Sequence, residues 1–175
     1  MRVLVTGGCG FIGSHIVDFL ANAHHHVIVT DNLSTGNIDF LNPDAKFVEI
    51  DVCSPELYKV FEIYKPDVVY HQAAQIDVQK SIKDPILDAH INVLGTINIL
   101  ECCRKYNVKR IIYASSAAVY GLPQYLGVDE EHPVAPISSY GISKHTPEHY
   151  IKAYYDLYNL QYSILRYANV YGVRQ

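Results

Sequence analysis

The chain has no tryptophan, a single methionine and only four cysteines among 175 residues. Cys9, Cys53, Cys102 and Cys103 show no metal-ligand spacing, and the adjacent pair cannot readily bridge. No metal site or disulfide framework is expected, and the thiols read as reduced in a cytoplasmic protein. Positive charge is also scarce. Fourteen Lys and Arg face eighteen Asp and Glu, for a net charge of −4. That excludes the basic face that nucleic acid or an anionic membrane surface requires. No run approaches the ~18 uninterrupted apolar residues of a membrane span, and no signal peptide is expected before the first strand. What is present, 49% hydrophobic and 18% charged residues, suits one soluble globular core.

Strand-like and helical patterns alternate without repeats. Strands are expected at Arg2–Thr6, His26–Thr30, Lys46–Ile50, Asp67–Tyr70, Arg110–Ala114 and Gln161–Leu165, with helices at Phe11–Asn22, Pro55–Tyr64, Ser81–Tyr106 and Ser139–Tyr158. Short apolar strands separated by helices predict an α/β fold: a doubly wound parallel sheet of Rossmann type, covered on both faces. Ligand would then sit beyond the C-terminal strand ends, where Gly7, Asp31, Asp51, Ala73 and Ser115 fall.

The first strand runs into Thr6-Gly7-Gly8-Cys9-Gly10-Phe11-Ile12-Gly13. Glycines at 7, 10 and 13 suit a turn that lets a pyrophosphate approach the backbone where Phe11, Ile12 and Gly13 open a helix. Asp31, eighteen positions after Gly13, is placed for the adenosine ribose hydroxyls. A 2′-phosphate would meet like charge there, and no arginine follows in 32–36, so NAD is favoured over NADP. Asp51 either reaches the adenine edge or leads the next helix as a cap. Cys9 fills a small space in this turn, with a redox role the alternative if the helix N-terminus lowers its pKa. The run His24-His25-His26 reads as a solvated turn, and Tyr150, Tyr154 and Tyr158 as a packing or subunit stripe.

Tyr140 and Lys144 are four residues apart in a helical segment, and Ser115-Ser116 ends a strand at the same sheet edge. A phenol with a pKa near ~10 is a poor base at neutral pH unless neighbouring positive charge favours phenolate. With Lys144 and the positive nicotinamide ring supplying that charge, Tyr140 would take a proton from a substrate alcohol that Ser116 holds. Pro147 lies inside the same helix, where a missing amide and ring crowding predict a kink or local widening.

Seven blocks occur in order: Thr-Gly-Gly-Cys-Gly-Phe-Ile-Gly (6–13), Asp-Asn-Leu-Ser-Thr-Gly (31–36), His-Gln-Ala-Ala-Gln (71–75), Asn-Val-Leu-Gly-Thr (92–96), Ser-Ser-Ala-Ala-Val-Tyr-Gly (115–121), Ser-Tyr-Gly-Ile-Ser-Lys (139–144) and Leu-Arg-Tyr-Ala-Asn-Val-Tyr-Gly (165–172). Together they resemble the extended short-chain dehydrogenase/reductase family, and within it the UDP-glucose 4-epimerase group. The resemblance implies that residues 1–175 are an NAD-binding domain carrying the catalytic residues Ser116, Tyr140 and Lys144. It also implies that Asp31 and Asn32 hold the ribose, Asp51 and Val52 the adenine, and Ala73 and Ala74 the cofactor channel. Asn92 would support the loop near the nicotinamide, Lys144 the nicotinamide ribose, Tyr167 the nicotinamide side and Asn169 the nucleotide sugar.

The implied reaction inverts C4 of a UDP-hexose through a transient 4-keto intermediate. A homodimer through the 81–106 and 139–158 helices is implied as well. Ala117 and Ala118 stand where related dehydratases place acids, which favours epimerisation over elimination. A nucleotide-sugar reductase or dehydratase, and a non-catalytic NAD-binding fragment, are the alternatives. The family pattern continues into a smaller C-terminal substrate lobe, which residues 1–175 are expected not to include.

Overall fold

The computed structural model describes residues 1–175. Six parallel strands form one sheet: β1 (Arg2–Thr6), β2 (His26–Asp31), β3 (Lys46–Glu49), β4 (Val68–His71), β5 (Arg110–Ser116) and β6 (Gln161–Tyr167), in spatial order β3-β2-β1-β4-β5-β6. The chain reverses its direction of winding between β1 and β4, and that switch opens a crevice at the C-terminal rim.

Two cores explain the apolar runs. In β1, Val3 and Val5 pack with Val17, Leu20, Val27 and Val29 on one face, while Leu4 joins Ile28, Val69, Ile99 and Ile111 on the other. Alternate residues of one strand therefore serve opposite faces, and a strand buried on both sides must be apolar throughout.

Helix α1 (Phe11–Asn22) and helix α6 (Ser139–Tyr158) keep the boundaries expected from the sequence. The histidine run stops α1, since His24 takes a left-handed φ of 59° and His25 N donates to Leu20 O at 3.0 Å. Ser138 caps α6 by accepting from Gly141 N at 3.0 Å. Helix α6 runs as one 20-residue element through the buried Pro147. Helix α2 (Tyr58–Tyr64) is shorter than expected because residues 55–57 form turns.

The helix expected over 81–106 is instead four pieces: α3 (Val78–Lys83), α4 (Pro85–Ala89), a π-helical turn (His90–Leu94) and α5 (Gly95–Lys105). Asp84 breaks it. Its backbone leaves the helical region, its carboxylate accepts from Leu87 N at 2.9 Å, and Pro85 opens the next piece, where a missing amide costs nothing. The run Pro85–Lys105, with mean hydropathy 1.2, is long and apolar enough to cross a membrane. Its Asp88, Asn92 and Thr96 are nonetheless buried inside this domain, one turn apart.

Candidate active site at the carboxyl rim

The glycine turn is a close backbone crossing. A Cβ on Gly13 would lie 2.0 Å from Gly7 O, and one on Gly7, at φ +68°, would lie 2.7 Å from Ala73 N. Gly7 N donates to Thr30 O at 2.7 Å, which draws β1 and β2 together just before α1 begins. Gly10 caps α1 without any side-chain hydrogen bond, and no acid occupies the first turn. The amides of Phe11 and Ile12 have no acceptor within the protein. A helix N-terminus with free amides and no competing carboxylate fits a pyrophosphate.

Asp31, 8% exposed, is held from two sides: Leu33 N donates to Oδ1 at 2.9 Å and Cys9 N to Oδ2 at 3.0 Å. A Cβ on Gly36 would come within 2.9 Å of Oδ1, so glycine keeps that oxygen approachable. Each carboxylate oxygen retains lone-pair capacity for a hydroxyl. Asn32 Nδ2 donates to Asp51 Oδ2 at 2.7 Å, and Asp51 Oδ1 accepts from Cys53 N at 2.7 Å. Asp51 thus ties its own turn to the Asp31 loop beside the buried Val52. Cys9 is fully buried, and burial, followed by the Asp31 charge, pushes its thiol up to about 11. The helix N-terminus does not activate it, which corrects the redox alternative.

At the other end of the crevice, Ser116 closes β5 and its hydroxyl accepts from Ala118 N at 3.1 Å. Tyr140 enters from the first turn of α6, its amide fixed by Ser81 Oγ at 3.1 Å. Burial raises the Tyr140 phenol above its ordinary pKa; the Ser116 hydroxyl opposes that rise and the Asp88 charge adds to it. Lys144 does not counter the rise in this structure. The expectation paired Lys144 with the positive nicotinamide ring, and the burial of Tyr140 sets what the two together must overcome. Lys144 is itself buried at 4% exposure, with its ammonium 4.8 Å from the Tyr113 ring centroid. Tyr113 OH donates to Lys144 O at 3.2 Å, so one residue braces both ends of the lysine.

Beneath this helix lies a polar network that sequence reasoning missed, apart from Asn92. Asn92 Nδ2 shares its two N–H groups among Gln75 O at 3.0 Å, Asp88 Oδ1 at 3.1 Å and Ser143 Oγ at 3.0 Å, while its Oδ1 accepts from Gln75 N at 2.8 Å. The π-helical turn places it there, a widening often found where side chains must converge. The i, i+4 spacing of Asp88, Asn92 and Thr96 was the available signal.

His71 completes the support. Thr96 Oγ1 donates to Asn92 O at 2.6 Å, so it accepts from His71 Nε2 at 3.0 Å, which leaves Nδ1 to accept from Thr6 Oγ1 at 2.7 Å. Burial, with Lys144 nearby, lowers His71 to about 3, so it stays neutral. Elsewhere in the crevice Ala73 and Ala74 are half-buried, Tyr167 lies near the Gln72 amide and Asn169 is exposed. An apolar cleft of about 500 Å³ between α1 and residues 170–173 contains none of Ser116, Tyr140 or Lys144.

Comparison with known proteins matches the chain to relatives along its whole length. A Methanocaldococcus jannaschii protein, provisionally described as a UDP-glucose 4-epimerase, is 55% identical over 174 residues, 99% of this chain and 57% of its own length. The crystal structure of a Thermotoga maritima UDP-glucose 4-epimerase with UDP-glucose superposes with a TM-score of 0.98 at 43% identity, covering 100% of this chain and 58% of that one. The Thermus thermophilus enzyme in complex with NAD superposes at 0.97 with 44% identity, covering 100% and 57%. This chain therefore spans under three-fifths of the length of these relatives. Residues 3–175 match the model of the NAD dependent epimerase/dehydratase family, and the chain belongs to that family.

Proposed function

We propose that residues 1–175 form the cofactor-binding and catalytic domain of a nucleotide-sugar 4-epimerase acting on a UDP-hexose such as UDP-glucose or UDP-galactose. The observation that carries this reading is the Ser116 hydroxyl beside the Tyr140 phenol, with the buried Lys144 one turn further along the same helix. A domain that only bound NAD would have no use for a buried lysine and a phenol fixed beside a serine.

Bound NAD supplies an acceptor and donor of hydride at the sugar carbon. The residues of the chain do the rest. The Ser116 hydroxyl orients the C4 alcohol and opposes the rise of the Tyr140 pKa. Tyr140 removes the alcohol proton at its phenolic oxygen and returns it when the alcohol is restored. Positive charge near the phenol, from Lys144 and from oxidised nicotinamide, must overcome burial for this transfer at neutral pH. Phe11 and Ile12 amides hold the pyrophosphate, Gly7, Gly10 and Gly13 allow its approach, and Asp31 with Asn32 takes the adenosine ribose. Asp51, Val52, Ala73, Ala74, Asn92 and Tyr167 line the remaining dinucleotide path, and Asn169 lies toward the nucleotide sugar. Ala117 and Ala118 offer no acid or base for a neighbouring carbon, which supports epimerisation over dehydration.

The reading includes a homodimer in the cytoplasm. Ile82, Ile86, Leu94 and Ile142 are exposed apolar residues on the segments expected to pair, and the four cysteines are free. Sedimentation showing only monomer at micromolar concentration would remove the dimer.

The function is tested by loading the protein with NAD and incubating it with UDP-galactose. Conversion to UDP-glucose is expected, with Tyr140→Phe retaining NAD and losing about 10²-fold or more of the rate. An NAD-loaded protein that leaves both sugars unchanged contradicts the reading.

A further inference from the structure

We propose that Asp88 is a positioning residue for Lys144, a buried counter-charge that keeps the lysine ammonium protonated from across the Asn92 side chain. The proposal rests on the functional reading above and extends it by one residue.

Asp88 is 1% exposed, and its two oxygens are used unequally. Oδ1 accepts from Gln75 Nε2 at 2.8 Å and from Asn92 Nδ2 at 3.1 Å, whereas Oδ2 has no partner. A carboxylate taken out of water with half its acceptor capacity unused is costly unless positive charge lies close by. Asn92 bonds both Asp88 and Ser143, the residue before Lys144, and the Asp88 charge acts on the buried Lys144 ammonium. Lys144 in turn makes no direct ion pair, and its ammonium rests over the Tyr113 ring.

The ionisable groups facing Lys144 come from every element around it. From β4, His71 is neutral; from β5, Tyr113 is held protonated by burial; from α6, Tyr140 is held protonated by burial too. Glu148, also on α6, is committed elsewhere, with Arg166 at 3.0 and 2.7 Å and Ser115 at 2.6 Å. Asp88 is therefore the one facing carboxylate with an open oxygen. Burial draws Lys144 down to about 8, with Asp88 and then Glu148 working against that fall. Without Asp88, the lysine would lose its proton nearer to neutral pH, and with it the charge that the phenol requires.

The test reads Lys144 directly and needs no turnover. Protein labelled with ¹³Cε-lysine is titrated by NMR, with the Lys144 resonance assigned by its disappearance in Lys144→Met. The wild-type midpoint is expected near 8. Asp88→Asn, which keeps an acceptor for Gln75 and Asn92, should lower it by about half a pH unit or more, and Asp88→Glu should restore it. A folded Asp88→Asn protein with an unmoved midpoint overturns the proposal.

Should Asp88→Asn fail to fold, the wild type decides the matter. The Asp88 carboxyl carbon, labelled and followed over the same range, should show an inflection at the Lys144 midpoint. A flat trace there overturns the proposal. A shifted Lys144 midpoint in a protein that never interconverts UDP-sugars would leave this pairing standing and remove the functional reading alone.

Discussion

The Asn92 side-chain amide donates to Ser143 Oγ at 3.0 Å, joining the π-helical turn to the residue just before Lys144. Ser143 Oγ donates in turn to Tyr140 O at 3.1 Å, so the bond is directed. One asparagine thus ties that turn to the helix that carries Tyr140 and Lys144. Asn92→Leu leaves Gln75, Asp88 and Ser143 short of partners in a buried site. It should cost about 2–4 kcal/mol of unfolding free energy in denaturant titration. A loss below about 1 kcal/mol would show that the network does not hold α6.

Gly13→Ala forces a methyl group to within 2.0 Å of Gly7 O, a backbone atom with no freedom to withdraw. The turn must open, which separates the amides that would meet the pyrophosphate. Calorimetric titration with NAD should show affinity falling by 10-fold or more, roughly 1.4 kcal/mol, together with a lower Tm. Unchanged affinity would mean that the dinucleotide does not use this turn.

Glu148 should contribute to the loss of stability in acid. Burial raises its pKa, but hydrogen bonds from Arg166 and Ser115 outweigh that and leave it below the ordinary carboxylate value. A depressed folded-state pKa gives stability that is complete above the unfolded value of ~4.3 and fades as pH falls through the folded value. Glu148→Gln should therefore flatten the acid limb of a stability–pH curve. It should also cost about 3–5 kcal/mol at pH 7, because Arg166 is left without its carboxylate. An acid limb as steep as that of the wild type would assign the loss to other groups.

Pro147 sits buried in the middle of α6 and cannot donate to Ser143 O. Interior proline costs on the order of 3 kcal/mol against a good helix former. Pro147→Val restores the donor at similar volume and should raise Tm in differential scanning calorimetry. An unchanged or lower Tm contradicts this.

Much of this molecule was legible in the sequence, for reasons that particular residues make plain. Val3, Leu4 and Val5 announce a strand buried on both faces, and glycines at 7, 10 and 13 announce a tight turn into a helix. The helical patterns at Phe11–Asn22 and Ser139–Tyr158 have the boundaries of α1 and α6. The break at Asp84-Pro85 was overridden by the apolar periodicity around it, although a capping aspartate before proline was the local signal. Hidden altogether was the support for the site. Ser81 fixes the amide of Tyr140 across 59 residues, and His71 links Thr6 with Thr96; neither partnership leaves a pattern in one chain read alone. The elevated Tyr140 pKa was missed because burial is a property of the fold, not of i, i+4 spacing.

The central claim is that hydrogen leaves C4 of the sugar and comes back to the same carbon, with Tyr140 handling only the hydroxyl proton. Incubating the NAD-loaded protein with UDP-galactose deuterated at C4 and examining the product by mass spectrometry and NMR tests it most directly. The account predicts UDP-glucose that retains its deuterium at C4. Product with that position exchanged for solvent hydrogen would contradict it.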